Sequence, residues 1–422
     1  MAELPVGTTS PRGLPVADQI FWPLVPAKDL FELQYGKALV AATRQNGSVV
    51  VFGSNGPCGF HNEYCFKGPG VVLGRKGQGP LGVKWSENDY WVIDTAYSLL
   101  PISDVVDLRF YYYLIGFVGL NHLKDGTSNP TLSREAFGSQ AFPLPPLSEQ
   151  TKIVSILKSL DDKIELNRLM NETLEGMARA IFKDWFVDFG PTRSKMEGRA
   201  PYLAPDIWSL FPNRLDDDGK PVGWVASTIG QEVVVVGGST PSTKEPAFWG
   251  GDIAWVTPKD LSSLSTPVLL STERQITEAG LSQIGSGLLP IGTVLLSSRA
   301  PIGYVVITKI PVAVNQGFIA MICNKRLSEV FVWLWTHTNM ETVHQNANGS
   351  TFQEISKANF RPIELTVPSP ELLRAFDETV RPLFDRIVAN DKENRTLATT
   401  RDYLLPWLMS GELRVIDAKS FV

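Results

Sequence analysis

SEQTKIVSILKSLDDKIELNRLMNETLEGMARAIFKDWF, residues Ser148–Phe186, holds no proline and a single glycine, Gly176. Apolar residues and asparagines return at Ile153, Leu157, Leu160, Ile164, Asn167, Asn171, Leu174, Ala178, Ile181 and Trp185, in alternating steps of four and three. That spacing keeps one stripe of a helix turned toward a partner helix, as in a coiled coil. At about 1.5 Å per residue, such a helix is roughly 55 Å long.

The chain contains this segment twice. Shifted by 223 positions, Gly126-Thr127-Ser128 falls on Gly349-Ser350-Thr351, and Leu132-Ser133-Arg134 falls on Ile355-Ser356-Lys357. Phe137 meets Phe360 and Pro145 meets Pro368. The register runs on without a gap through Ile164/Ile387, Asn167/Asn390, Asn171/Asn394, Thr173/Thr396, Leu174/Leu397 and Phe182/Leu405. The second seam reads Phe376, Val380, Leu383, Ile387, Asn390, Asn394, Leu397, Arg401, Leu404 and Leu408, with Pro382 expected to bend or shorten its helix. Upstream the match fades. Arg75 to Gly82 resembles Arg299 to Gly303, and Asp94-Thr95-Ala96 resembles Val314-Asn315-Gln316, but only with small gaps. Residues 20–70 and 225–295 share little that aligns, and the tail Arg12 to Phe31 precedes anything the repeat can match.

The order is therefore variable part, repeated helix, variable part, repeated helix. This predicts an α+β chain divided as follows: a first recognition domain at 1–147, a long helix at 148–186, a linker and second recognition domain at 187–370, a second long helix at 371–411 and a tail at 412–422. A duplicated enzyme domain with one decayed copy is the other way to read it. Buried asparagines cost stability unless paired, and fix register when they are. Antiparallel pairing predicts Asn167 against Asn394 and Asn171 against Asn390, whereas parallel pairing would match Asn167 with Asn390. Antiparallel is favoured, because the second variable part then starts where the first helix ends. It would set the variable parts at opposite ends of a rod, about an approximate two-fold axis. Two helices each buried in its own domain is the remaining alternative.

Composition bounds the rest. The 422 residues suit two large domains, and 43% apolar with 20% charged residues is the balance of a soluble globular protein. No apolar run approaches the ~18 residues of a membrane span, and Met1 to Pro15 lacks the order of a secretory signal. Three cysteines, Cys58, Cys65 and Cys323, make no disulfide framework, so a cytoplasmic location is expected. The net charge of −5 counts against DNA binding unless basic residues cluster or partners share the phosphate contacts.

Several motifs carry little. Gly77-Gln78-Gly79-Pro80-Leu81-Gly82 spells a dinucleotide fingerprint, but Val83-Lys84-Trp85 continues as a strand where a helix is needed. Cys58, His61 and Cys65 lack the further ligands of a zinc site. Asn129-Pro130-Thr131 reads as a turn, no phosphate-binding Walker segment exists, and the four histidines lie near no evident nucleophile. No catalytic residue and no metal ligand is assigned.

The residues around the helices resemble those of the specificity (S) subunit of type I restriction–modification systems. The resemblance rests on Pro143-Leu144-Pro145-Pro146-Leu147-Ser148-Glu149-Gln150 leading into Ile153-Val154-Ser155-Ile156-Leu157, on Leu160 to Asn167, and on Ile181 to Phe189. Leu404 to Leu413 is similar to the family's ending, and Gly223-Trp224 with Thr228-Ile229-Gly230 to the start of a recognition domain. It implies a non-catalytic subunit whose two target recognition domains each read half of a split double-stranded DNA site. The helices would set the spacing and dock two methyltransferase (M) subunits, and the complex would recruit restriction (R) subunits. The assembly would be an adenine DNA methyltransferase and ATP-dependent endonuclease. S-adenosylmethionine, ATP and Mg would belong to those partners, with no cofactor in this chain. A coiled-coil scaffold that binds proteins and no DNA is the alternative, favoured by the acidic charge. A nucleotide-dependent enzyme would need the glycine motif to hold a cofactor.

Base readout uses Arg and Lys toward guanine and Asn and Gln toward adenine. Candidates in glycine-rich or polar loops are Arg44, Gln45, Asn46, Asn55, Arg75, Lys76 and Lys124 in the first domain. In the second they are Ser239, Thr240, Ser242, Lys244, Lys259, Arg299, Asn315, Gln316, Asn348 and Ser350. Trp249, Trp255, Trp333 and Trp335 are expected in cores.

Overall fold

The computed structural model describes residues 21–349 and 353–415. They form two compact units. The described residues up to Ile164, with those from Arg395 onward, make the first; Glu165–Asn394 makes the second.

In the first unit the strands are β1 (Leu24–Pro26), β2 (Phe31–Tyr35), β3 (Val49–Gly53), β4 (Gly56–His61), β5 (Gly70–Gly74), β6 (Val83–Ser86), β7 (Tyr90–Val92), β8 (Ala96–Pro101), β9 (Lys124–Asp125), β10 (Thr131–Leu132) and β11 (Ala141–Pro143). Burial explains the arrangement. β5 is buried along its whole length and sits inside the sheet β2-β8-β5-β6, whereas β2 alternates buried and exposed positions at its edge. A second sheet, β4-β3-β7, pairs β3 antiparallel with β4 and parallel with β7. The helix Leu108–Val118 covers the larger sheet with Phe110, Tyr111, Leu114 and Ile115.

The second unit holds β12 (Val225–Thr228), β13 (Val234–Val236), β14 (Trp249–Val256), β15 (Val268–Leu269), β16 (Arg274–Ile276), β17 (Val294–Ser298), β18 (Ile302–Thr308), β19 (Ala313–Val314), β20 (Phe318–Ile322) and β21 (Glu364–Val367). Its sheets run β13-β20-β17-β18-β15 and β16-β14-β19. With β15 set aside, strand order and direction repeat those of the first unit. Segments with no alignable sequence thus share one topology. A strand needs only burial at the right positions, and many residue sets supply that.

The repeat also reaches further back than the sequence showed. β1 pairs antiparallel with β11 as β12 pairs with β21, so Leu24 to Phe31 do have a counterpart. The backbone N–H of Phe21 donates to Ser410, and Trp22 packs against Gly411 under the Arg414 guanidinium, 3.9 Å from its ring. Trp224 likewise packs on Phe186 and Phe189 in the second unit. Residues 12–20 lie outside the described residues.

Two long helices, Leu147–Phe186 and Pro370–Ser410, span 40 and 41 residues. The first is anchored by Gln150, fully buried: its Nε2 donates to the carbonyls of Pro145 (2.9 Å) and Val105 (2.8 Å), and its Oε1 accepts from the Asp107 N–H. Of the two effects expected of Pro382, shortening does not occur: the helix runs through it. That residue is exposed, while Val380 and Phe384 on either side are buried.

The pairing is antiparallel. Asn167 Nδ2 donates to Asn394 Oδ1 (2.9 Å) and Glu393 Oε2 (2.8 Å), and Asn390 Nδ2 donates to Asn171 Oδ1 (2.8 Å). The 223-residue offset turns one asparagine pair into the other. Within the first unit, the Arg401 seam position meets Asp161 at 2.8 Å, and Tyr113 donates to the same carboxylate. Asn167, Asn171 and Asn390 are almost wholly buried. Asn390→Leu is therefore expected to cost about 1–3 kcal/mol by stranding the buried Asn171 amide, while the pair Asn171→Leu/Asn390→Leu costs less than either single change. Urea midpoints of the four proteins test this; strictly additive single effects would refute it.

Candidate nucleic-acid interface

In the first unit three loops meet beyond the ends of β3, β5 and β9. Close packing at Gly74 requires the missing side chain, since a Cβ there would lie 2.2 Å from the Ser54 carbonyl. Ser54 then binds the Lys76 N–H through its Oγ (3.2 Å) and donates that hydroxyl to Thr95 O (2.6 Å). The Gly77 N–H donates to Pro130 O, and Gln78 Nε2 donates to Ser128 O (2.8 Å). Lys124 Nζ donates to the carbonyls of Gly77 (3.1 Å) and Gly79 (2.9 Å), which ties the glycine-rich loop down. The strand β6 follows that loop, in place of the helix that a dinucleotide fingerprint needs.

Asn55, Arg75, Lys76 and Lys124 share this cluster, and Asn55 is exposed at the β3–β4 turn. Arg75 donates to Asp94 O (3.1 Å), and its guanidinium lies 4.7 Å from the Tyr35 ring centre and 5.6 Å from that of Tyr97. Burial pushes the Tyr97 phenol up to about 12, which keeps it neutral. Arg44 and Gln45 are engaged along β4 instead. Arg44 donates to Cys58 O, Gln45 Oε1 accepts from Asn62 Nδ2, and the Gln45 N–H donates to His61 Nδ1. Asn46 is exposed beside them. Cys65 sits apart, its Sγ accepting from the Val92 N–H. Among the described residues, no group of three His, Cys, Asp or Glu side chains is arranged to hold a metal.

The second unit assembles a matching cluster at the ends of β13, β14, β17 and β19. The Ser239 N–H donates to Val314 O, and the Asn315 N–H to Val256 O, both at 3.1 Å. Thr240 Oγ1 donates to Gln316 Oε1 (2.7 Å), and Asn315 Oδ1 accepts from the Gly317 N–H (2.8 Å). The Ser298 N–H donates to Gly317 O (2.8 Å), which brings Arg299 alongside. Arg299 bridges Glu354 at 3.8 Å, and Glu354 pairs backbone to backbone with Asn348. Lys259 is held by Glu273 (2.8 Å). Ser242 accepts Trp249 Nε1 on its carbonyl, and Lys244 is exposed. Ser350 lies outside the described residues.

Rigid loops carrying exposed amides, hydroxyls and cations can meet the edges and phosphates of a duplex. The acidic total is spent elsewhere in part: Asp162, Glu165, Glu172 and Glu175 pair with Lys158, Arg168 and Arg179 along the first long helix. Trp255, Trp333 and Trp335 are core residues, while Trp249 is half-buried under Arg274, whose guanidinium is 3.6 Å from its ring centre. Sequence reasoning missed Arg134, Lys357 and Arg274 as surface cations. The repeat register that sets Arg134 on Lys357 was the available signal.

Two stretches of the chain, 21–176 and 221–372, match the family described as type I restriction modification DNA specificity domain. The type I restriction enzyme HindI specificity subunit of Haemophilus influenzae is 25% identical over 392 residues, covering 80% of this chain and 85% of that one. The type I restriction enzyme MjaIX specificity subunit of Methanocaldococcus jannaschii is 40% identical over 184 residues, 43% of this chain and 42% of that one. The crystal structure of a type I restriction–modification S subunit from M. genitalium has the same fold, with a TM-score of 0.57 at 16% identity over 94% of this chain and 98% of that one.

Proposed function

We propose that this chain, which belongs to the family of type I restriction–modification DNA specificity subunits, reads one half of a split DNA target with the loop cluster of each unit. The observation that carries the reading is one strand order used twice with different loop chemistry: Asn55 and Lys76 in the first cluster, Thr240 and Gln316 in the second. A common scaffold with divergent loops suits two readers of different sequences. The paired long helices serve as the spacer between half-sites and as the seat of two methyltransferase subunits, through which restriction subunits join. Methyl transfer and ATP use, with S-adenosylmethionine, ATP and Mg, fall to those partners.

Methylome sequencing with and without the gene tests this directly. A split adenine-methylated motif is expected to vanish on deletion, and an unchanged methylome would sink the proposal. Thr240→Ala and Gln316→Ala are expected to relax base choice in one half of the motif only, by about 1–3 kcal/mol of discrimination. Equal loss in both halves, seen in the same sequencing, would count against separate readers.

A further inference from the structure

The base-reading candidates of the two clusters differ in most residue types, but both clusters carry a cation at two equivalent positions. The first is the residue leaving the fully buried strand, Arg75 after β5 and Arg299 after β17. The second opens the short helices Arg134–Ser139 and Lys357–Phe360, and these residues coincide under the 223-residue offset. In the first unit, both cations flank one ring. The guanidinium carbons of Arg75 and Arg134 lie 4.7 and 4.1 Å from the centre of Tyr35, the last residue of β2, which is 45% exposed. In the second unit the strand equivalent to β2 is β13, followed by Gly237. A Cβ on Gly237 would lie 3.2 Å from Lys357 Nζ, so the ammonium lies against the backbone at the end of that strand. Arg299 leaves β17, two strands away, roughly 10 Å at ordinary strand spacing.

Charge decides what these cations do. Among the described residues no carboxylate pairs with Arg75, Arg134 or Lys357, and Arg299 has only the half-exposed Glu354 at 3.8 Å. Two like charges held near one ring without a counter-ion favour an anion between them. Cations kept at equivalent places in two heads whose base-reading candidates differ suit a feature that both half-sites share. Duplexes of different sequence share the phosphodiester backbone, not base edges.

We infer that Arg75 with Arg134, and Arg299 with Lys357, form a phosphate clamp repeated in both heads, which sets each head on the DNA backbone without reading bases. This rests on the DNA-specificity reading above. The test measures binding of the chain, in complex with its methyltransferase subunits, to duplexes carrying the methylated motif or a scrambled one, across a salt series. Arg134→Gln and Lys357→Gln, both at exposed positions, and the pairs Arg75→Gln/Arg134→Gln and Arg299→Gln/Lys357→Gln are compared with wild type. Each pair is expected to weaken both duplexes alike, by about 10–100-fold, and to lower the slope of log affinity against log salt by about 1–2. Arg75→Lys/Arg134→Lys is expected to keep the wild-type slope. An unchanged slope, or a loss confined to the motif duplex, overturns the clamp. A wild-type complex that binds both duplexes equally would instead overturn the specificity reading itself.

Discussion

Replacing Phe376 with alanine is expected to destabilise the second unit by about 3–5 kcal/mol, the range for deleting a buried aromatic ring from a packed core. The ring is fully buried and meets four others: Phe186 at 4.9 Å, Trp185 at 5.8 Å, and Phe182 and Phe331 at 5.9 Å. All four contacts are edge-on, the arrangement that adds attraction beyond area burial. The position is also where three elements meet, since Phe182, Trp185 and Phe186 belong to the first long helix, Phe376 to the second and Phe331 to the helix Glu329–Thr338. Truncation would leave a hole that none of them can close alone. Tryptophan fluorescence in urea reports the change, and Phe376→Leu should recover much of the loss. A shift under about 1 kcal/mol for the alanine variant would show that the junction is loosely packed.

Stability is also expected to fall with acid because of His337. Its Nε2 is buried without a hydrogen-bond partner, and its ring centre lies 4.3 Å from that of Trp333, over which Arg179 sits at 4.6 Å. Burial, helped by the Arg179 charge, pushes the imidazole down to about 3. A histidine with a depressed value in the folded chain binds its proton first in the unfolded one. The neutral ring therefore contributes its full stability above about pH 6.5, and that stability drains away as pH falls toward 3, approaching about 1.4 kcal/mol per pH unit. His337→Gln cannot take up this proton, so its stability should depend less on pH between 6.5 and 4. Denaturation curves at several pH values compare the two proteins; parallel pH profiles would show that His337 does not carry the acid sensitivity.

Much of this architecture was legible beforehand because long helices announce themselves by period. The seam positions follow from spacing and a single offset, the antiparallel direction is favoured by the path of the chain, and the hydrogen bonds at Asn167 and Asn390 agree with both. The recognition units were less legible. β2 and β13, or β3 and β14, share no alignable residues, yet occupy equal places in their sheets. Pro382 does not end its helix, because whether a proline stops a helix depends on the packing on either side, here the buried Val380 and Phe384. Lys124 stood out as a cation in a polar loop, whereas its amine is occupied by the carbonyls of Gly77 and Gly79.

The sequence by itself determined that this chain repeats a helix with a polar seam, because local periodicity and an internal offset need no knowledge of packing. Only the tertiary structure decided that two unlike stretches build the same sheets, and that Arg75 and Arg134, 59 positions apart, flank one tyrosine. Long-range strand pairing sets which loops meet, and that pairing depends on burial shared among residues far apart in the chain.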